Sequence, residues 1–94
     1  MFNNSRFLTR GVQSDIPVEL QLFMWDCIDT LPAERDYFQV FQLSSVNGFQ
    51  KVKHFSEQPD YEKEYLIKSD NPIDAKIYVI DDTEHSTMLL AEEY

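Results

Sequence analysis

The chain lacks most of what small-protein chemistry is usually built from. Its 94 residues include one cysteine, Cys27, so no intrachain disulfide can form and the cysteine framework of a small secreted domain is excluded. There are two glycines, Gly11 and Gly48, and neither opens a loop-to-helix turn, which excludes a glycine-rich phosphate loop. Bases are scarce: eight Lys and Arg stand against seventeen Asp and Glu, for a formal net charge of −9. A surface that tracks phosphates needs clustered Lys and Arg, so no direct nucleic-acid binding is expected, nor docking on anionic lipid. No segment approaches the ~20 apolar residues of a membrane span. The opening MFNNSRFLTRGV lacks the apolar stretch of a signal peptide. These absences predict a reduced, cytoplasmic protein. With no G-x-S-x-G, C-x-x-C or His-rich tract, no catalytic residues and no cofactor are expected.

Aromatic and apolar residues are plentiful. Hydrophobic residues make up 43% of the chain, with seven Phe, five Tyr and one Trp. Disordered acidic chains are poor in such residues, so this one folds, and its length suits a single domain, residues 1–94. The charge is uneven: Asp81, Asp82, Glu84, Glu92 and Glu93 close the chain with no Lys or Arg among them.

Hydrophobic periodicity divides the chain into one helix and several strands. RFLTRGV (6–12) is a predicted first strand, with Gly11 marking a bulge or the strand's end. A helix is predicted over 17–31, PVELQLFMWDCIDTL, with Asp15 as a candidate cap, Pro17 in the first turn and Pro32 as the stop. At 100° per residue Leu20, Phe23, Met24, Cys27, Ile28 and Leu31 share one face. Leu22 and Trp25 break that pattern. From residue 36 the texture is that of strands. DYFQVFQLSSV and FQKVKHF flank Asn47-Gly48, a hairpin signal because both residues accept positive φ. A turn around Pro59 leads to YEKEYLI (61–67), in which Tyr61, Lys63, Tyr65 and Ile67 share a side. After a loop at 68–74, KIYVI (76–80) is nearly all apolar and expected to be central, and TMLLAEE (87–93) is the last strand. The expected fold is α+β: one α-helix packed on a mostly antiparallel sheet of about five to six strands, β-α-β-β-β-β-β.

LTRGV, IPVELQLFMWDCID, YFQVFQL and IYVIDDTEHSTMLLAEEY together resemble a family of small Gram-positive bacterial and phage proteins, domain of unknown function 960. The resemblance runs over almost the whole chain and is carried best by LTRG, ELQLF and STMLLAEEY. It implies a stand-alone cytoplasmic protein. It implies no activity, so no site residue is carried over from it.

Four features are candidates for function. DDTEHST gathers Asp81, Asp82, Glu84 and His85, ligand types for a divalent ion. Yet the spacing fits neither a calcium loop nor a zinc helix, and apolar strands bracket it as they would a hairpin turn. Cys27 falls on the helix's apolar face beside Asp26 and Asp29, a setting for an inert core thiol. His54, between Lys53 and Phe55, reads as a surface or edge-strand histidine. Leu22 and Trp25 are a possible partner surface, since Trp is enriched at interface hot spots, and a homodimer through the helix is the simplest occupant. The function expected is therefore non-enzymatic, through protein–protein contacts. The alternatives are a metal-dependent or hydrolytic enzyme using the Asp81–His85 turn, and an acidic nucleic-acid mimic that inhibits a basic protein.

Overall fold

The N-terminal segment corrects the sequence reading. In a computed structural model describing residues 1–94, strand β1 is Ser5–Leu8, and the chain then turns into a short helix, α1, Arg10–Asp15. Thr9 is the reason the strand stops. Its hydroxyl accepts the Val12 N–H and caps the helix. Gly11 therefore lies in the first turn of α1, not at a bulge. Asp15 is the last residue of α1 and caps nothing. Helix α2 follows as Val18–Asp29, with Pro17 at its N-cap. It is shorter at both ends than the predicted 17–31.

The remaining elements are β2 Phe38–Val46, β3 Phe49–Glu57, β4 Asp60–Lys68, β5 Ala75–Asp81, β6 His85–Leu90 and a single 3₁₀ turn, Ala91–Glu93. The predicted last strand thus ends at Leu90, because Glu93 folds back. Its carboxylate accepts the Leu90 N–H, the Gly11 N–H and the Thr9 hydroxyl, clamping the C-terminus to the start of α1. These bonds hold the Glu93 carboxyl below its ordinary range, the Thr9 hydroxyl most of all. A Cβ added at Gly11 would fall 2.7 Å from Glu93 Oε2 and Leu90 Cδ1. Both are ends of flexible side chains, but Glu93 can retreat only by giving up its bonds. Gly11→Ala is expected to cost about 1 kcal/mol, even though Ala favours helix, because the lost clamp outweighs the propensity gain. A urea midpoint at or above that of the parent would show that the clamp does not matter.

The sheet has six strands in the order β1-β6-β5-β2-β3-β4. All neighbours are antiparallel except β1 and β6, so the fold is α+β with a mostly antiparallel sheet. KIYVI is internal, as its apolar run predicted. Asn47 and Gly48 have φ of 49° and 81°, the positive values the hairpin needs.

The helices cover one face. Met24, Cys27 and Ile28 of α2 pack with Val12 and Ile16 against Phe41, Leu43, Val52, Ile77, Val79 and Met88 of the sheet. Leu20 and Phe23 are partly buried on the same core. Phe2 is also fully buried, anchored from outside any element. Three glutamines tie the irregular segments down from inside. Gln21 donates to the carbonyls of Val12 and Ile16. Gln39 donates to Asp36. Gln50 accepts from Ile73 N–H and donates to its carbonyl. Each satisfies backbone groups that burial would otherwise leave unpaired.

Candidate functional site

DDTEHST is divided by the fold. Asp81 is not at the turn's tip, where the sequence reading put it. It ends β5, is buried, and has its carboxylate saturated by protein donors. Oδ2 accepts the Phe2 N–H at 2.6 Å, and Oδ1 accepts the Thr83 N–H at 2.7 Å and the Asn4 amide at 3.1 Å. Burial by itself would push this carboxyl up. The bonds from Phe2, Thr83 and Asn4 outweigh it and hold the group below its usual range. Asp82 bonds its own turn, accepting the N–H groups of Glu84 and His85, and its other oxygen lies 3.0 Å from His85 Nε2. Nowhere are three His, Cys, Asp or Glu side chains gathered as metal binding requires. The turn serves as a hinge post for the N-terminal segment.

Cys27 is buried. Burial pushes its thiol up; the Tyr65 hydroxyl pulls it down, Asp26 pushes it up and Lys63 lowers it, with the upward causes prevailing. The thiol is held protonated, the opposite of a nucleophile.

His54 overturns its sequence reading. It is fully buried, on β3 between β2 and β4 and not on an edge. KVKHF alternates, and His54 takes the inward side with Val52. Its ring stacks on Phe41 at 4.2 Å and meets Tyr61 edge-on. Nε2 lies 2.7 Å from Gln39 Oε1. Because the Gln39 amide nitrogen already donates to Asp36, its oxygen faces the ring, which assigns the proton to Nε2. Nδ1 has no partner. Protonating it would create a buried donor with nothing to receive it. Burial, helped by the Lys63 charge, accordingly lowers the pKa to about 4.

The helix-flank pair is split as well. Trp25 is partly buried on the core, and the Arg6 guanidinium lies 4.7 Å above its ring while pairing with Asp29. Leu22 stands 65% exposed.

The largest uncommitted surface is the sheet face that no helix covers. Strand alternation and register put Ser5 and Phe7 of β1, His85, Thr87 and Leu89 of β6, Lys76, Tyr78 and Ile80 of β5, and Phe38, Val40, Gln42 and Ser44 of β2 outward. On β3, Phe49, Lys51, Lys53 and Phe55 continue it. Across this expanse there is no carboxylate, in a chain with seventeen. Acids enter at its borders, as Asp36 and Glu57 beside the β2–β3 end, Asp82 against His85, and Asp60, Glu62 and Glu64 on β4. The aromatic side chains associate: Phe38 lies 4.8 Å from Tyr78, and Tyr94 meets both edge-on at 5.6 and 5.5 Å. Lys53 lies over Phe55 and Lys76 over Tyr78. A groove of about 410 Å³ has Phe38, Val40, Phe55 and Tyr78 on its floor, with Asp36, Glu57 and Lys76 at its edge. An aromatic centre with few acids and a charged rim has the aromatic enrichment of a protein-contact surface.

Sequence reasoning missed this face, although its signal was present. The outward sets of β2, β3 and β5 alternate visibly; what was not visible is that the helices cover only the other set.

No helix is long and apolar enough to cross a membrane. Among curated proteins none matches the sequence. The crystal structure of a protein of unknown function from Enterococcus faecalis is similar, with a TM-score of 0.83 and 25% identity over 97% of this chain and 91% of that one. The likeness of fold agrees with what the sequence shows on its own: a family described as Staphylococcal protein of unknown function, DUF960, matches residues 5–93, and the chain belongs to it.

Proposed function

We propose that the protein is a non-enzymatic, cytoplasmic binding protein that works by protein–protein contact through its uncovered sheet face. The observation that carries this reading is the acid-poor, aromatic expanse around Phe38, Tyr78 and Tyr94 on a molecule of net charge −9. The state of the other candidates supports it. Asp81 is spent on protein donors, and Cys27 and His54 are each held uncharged in the core. The helix flank is the smaller surface, because Trp25 is partly buried on the core and the Arg6 guanidinium lies over its ring.

Site-specific photocrosslinking in host cells tests the reading. Benzoylphenylalanine placed at Phe7 or Phe55 is expected to give discrete adducts, and the same group at Val18, exposed on α2, to give none. Placed at Leu22, it reports on the helix flank. Adducts from Leu22 with none from the sheet face would move the contact to the helix.

A second reading has one observation in its favour. Lys51, Lys53, Lys68 and Lys76 nearly balance Asp36, Glu57, Asp60, Glu62 and Glu64 on the outward face, so most of the net −9 lies off it. That concentration on the helix layer and the sheet ends suits a mimic of nucleic acid meeting a basic protein, with binding that weakens as salt rises.

A further inference from the structure

We infer that the occupant of the uncovered sheet face is a second copy of this chain, packed face to face across a two-fold axis; the inference rests on the contact reading above. Three observations lead to it. The first is charge. Two molecules of −9 repel each other in most orientations, but the outward sheet face is nearly neutral, with four lysines and five acids, Asp36 at the groove edge included. Two of those pairs are already joined, Lys51 with Glu64 and Lys53 with Glu62. The face is the one broad surface on which two copies can meet with little like-charge penalty. A strongly basic partner would find nothing to attract it there.

The second observation is area. Six strands about 4.8 Å apart, most of them six to nine residues long, present roughly 700 Å² of sheet. A stable interface covers about 800 Å² per partner, and the outward side chains and Tyr94 add to the projected figure. The whole face, rather than the groove alone, has the size of half an interface.

The third observation is order of strands. The six-stranded order β1-β6-β5-β2-β3-β4 has its midpoint between β5 and β2. A two-fold axis parallel to the strands at that midpoint lays β4, with Asp60, Glu62 and Glu64, over the partner's β1. The outward side chains of β1 are Ser5 and Phe7, so acid meets no acid. The centre of the contact is then Phe38, Val40, Tyr78 and Ile80 of each copy. Aligned sheets packed about 10 Å apart through such side chains form an ordinary sandwich core. Tyr94, 77% exposed and resting edge-on against Phe38 and Tyr78, supplies the kind of rigid anchor that carries interface energy.

Sedimentation equilibrium on the full chain tests this, with Thr87→Glu, Gln42→Glu and Leu22→Asp as variants. Gln42 points outward beside the axis, so its Glu is solvated in a monomer and faces its own copy in the dimer; Thr87, one strand farther out, lies over β3 of the second copy, where its Glu meets Glu57. The parent is expected at twice the 11.1 kDa chain mass. Its association should hold or tighten between ~0.05 and ~0.5 M salt, as screening reduces the mutual repulsion. Thr87→Glu and Gln42→Glu should weaken association at least ~100-fold, and Leu22→Asp should leave it unchanged. A parent that stays at 11.1 kDa up to ~0.5 mM overturns the inference. So does a dimer that tolerates both glutamates or is broken by Leu22→Asp. Circular dichroism confirms that each variant is folded, and either glutamate variant alone suffices if the other is not. The crosslinks at Phe7 and Phe55 separate the two failures. Adducts to other proteins from a monomeric chain overturn the second copy and keep the contact face; no adduct from either site overturns both.

Discussion

Taken from pH 7 to about pH 4, the protein is expected to lose about 3 kcal/mol of unfolding free energy through His54 alone. The sign follows from where the proton binds. The folded state holds His54 neutral, with its pKa lowered from 6.5 to about 4 by burial and by Lys63. The unfolded chain protonates it near the ordinary value. Between those two values only the unfolded state takes up the proton, so each pH unit removes about 1.4 kcal/mol. The stability is fully present above pH 6.5 and is gone once pH falls through about 4. The groups facing His54 explain why the folded state refuses the proton. Gln39 occupies Nε2, Phe41 and Tyr61 cover the ring, Lys63 brings a like charge, and no carboxylate reaches Nδ1. Urea unfolding at pH 7, 6, 5 and 4 measures the slope. A double variant, His54→Leu with Gln39→Leu, removes the titrating group together with the partner that would be orphaned, and should be flat from pH 7 to 5. Asp81 and Glu93 also lose their stabilising bonds in acid, but only as pH falls through values below their ordinary ones. Equal slopes for parent and double variant across pH 7 to 5 would refute the assignment to His54.

Asp81→Asn is expected to cost about 3 kcal/mol, whereas Glu84→Gln, three residues on, should stay within about 0.5 kcal/mol. Both are single-atom changes in one acidic stretch, so their contrast isolates environment. Asp81 accepts three donors, two of them from a segment nearly 80 residues away in sequence. An amide in its place offers one acceptor oxygen and must turn its own N–H groups toward the Phe2 or the Thr83 and Asn4 donors. Losing that post also frees Phe2 from the core. Glu84 is exposed and its side chain bonds nothing. Thermal unfolding of the two variants decides the matter. A comparable loss from each would mean that the turn is stabilised as a unit; no loss from Asp81→Asn would mean that Phe2 is held by packing alone.

The sequence was most legible where a local rule dominates. Asn47-Gly48 turns because few other pairs accept two positive φ values. KIYVI is internal, with Ile77 and Val79 in the core and Tyr78 and Ile80 on the open face, because an apolar run suits a strand paired on both edges. Met24, Cys27 and Ile28 face the core because of their helical spacing. The same rules misread the N-terminus. RFLTRGV has the composition of a strand, but Thr9 caps a helix that Glu93, at the opposite end of the chain, completes. No local window contains both residues. His54 was misread for a related reason. Its neighbours Lys53 and Phe55 point outward, and only the pairing of β3 with both β2 and β4 makes the inward side a sealed one.

By itself, then, the sequence determined the class of fold, the helix face, the hairpin and the absence of a disulfide or phosphate-loop framework, all consequences of spacing and composition within a few residues. The tertiary structure decided that Asp81 is an anchor and not a ligand, that His54 is buried, and that one face of the sheet is left uncovered. Each of those depends on partners brought together from distant parts of the chain, and a single α-helical layer can cover only one of the two outward-alternating faces that six strands present.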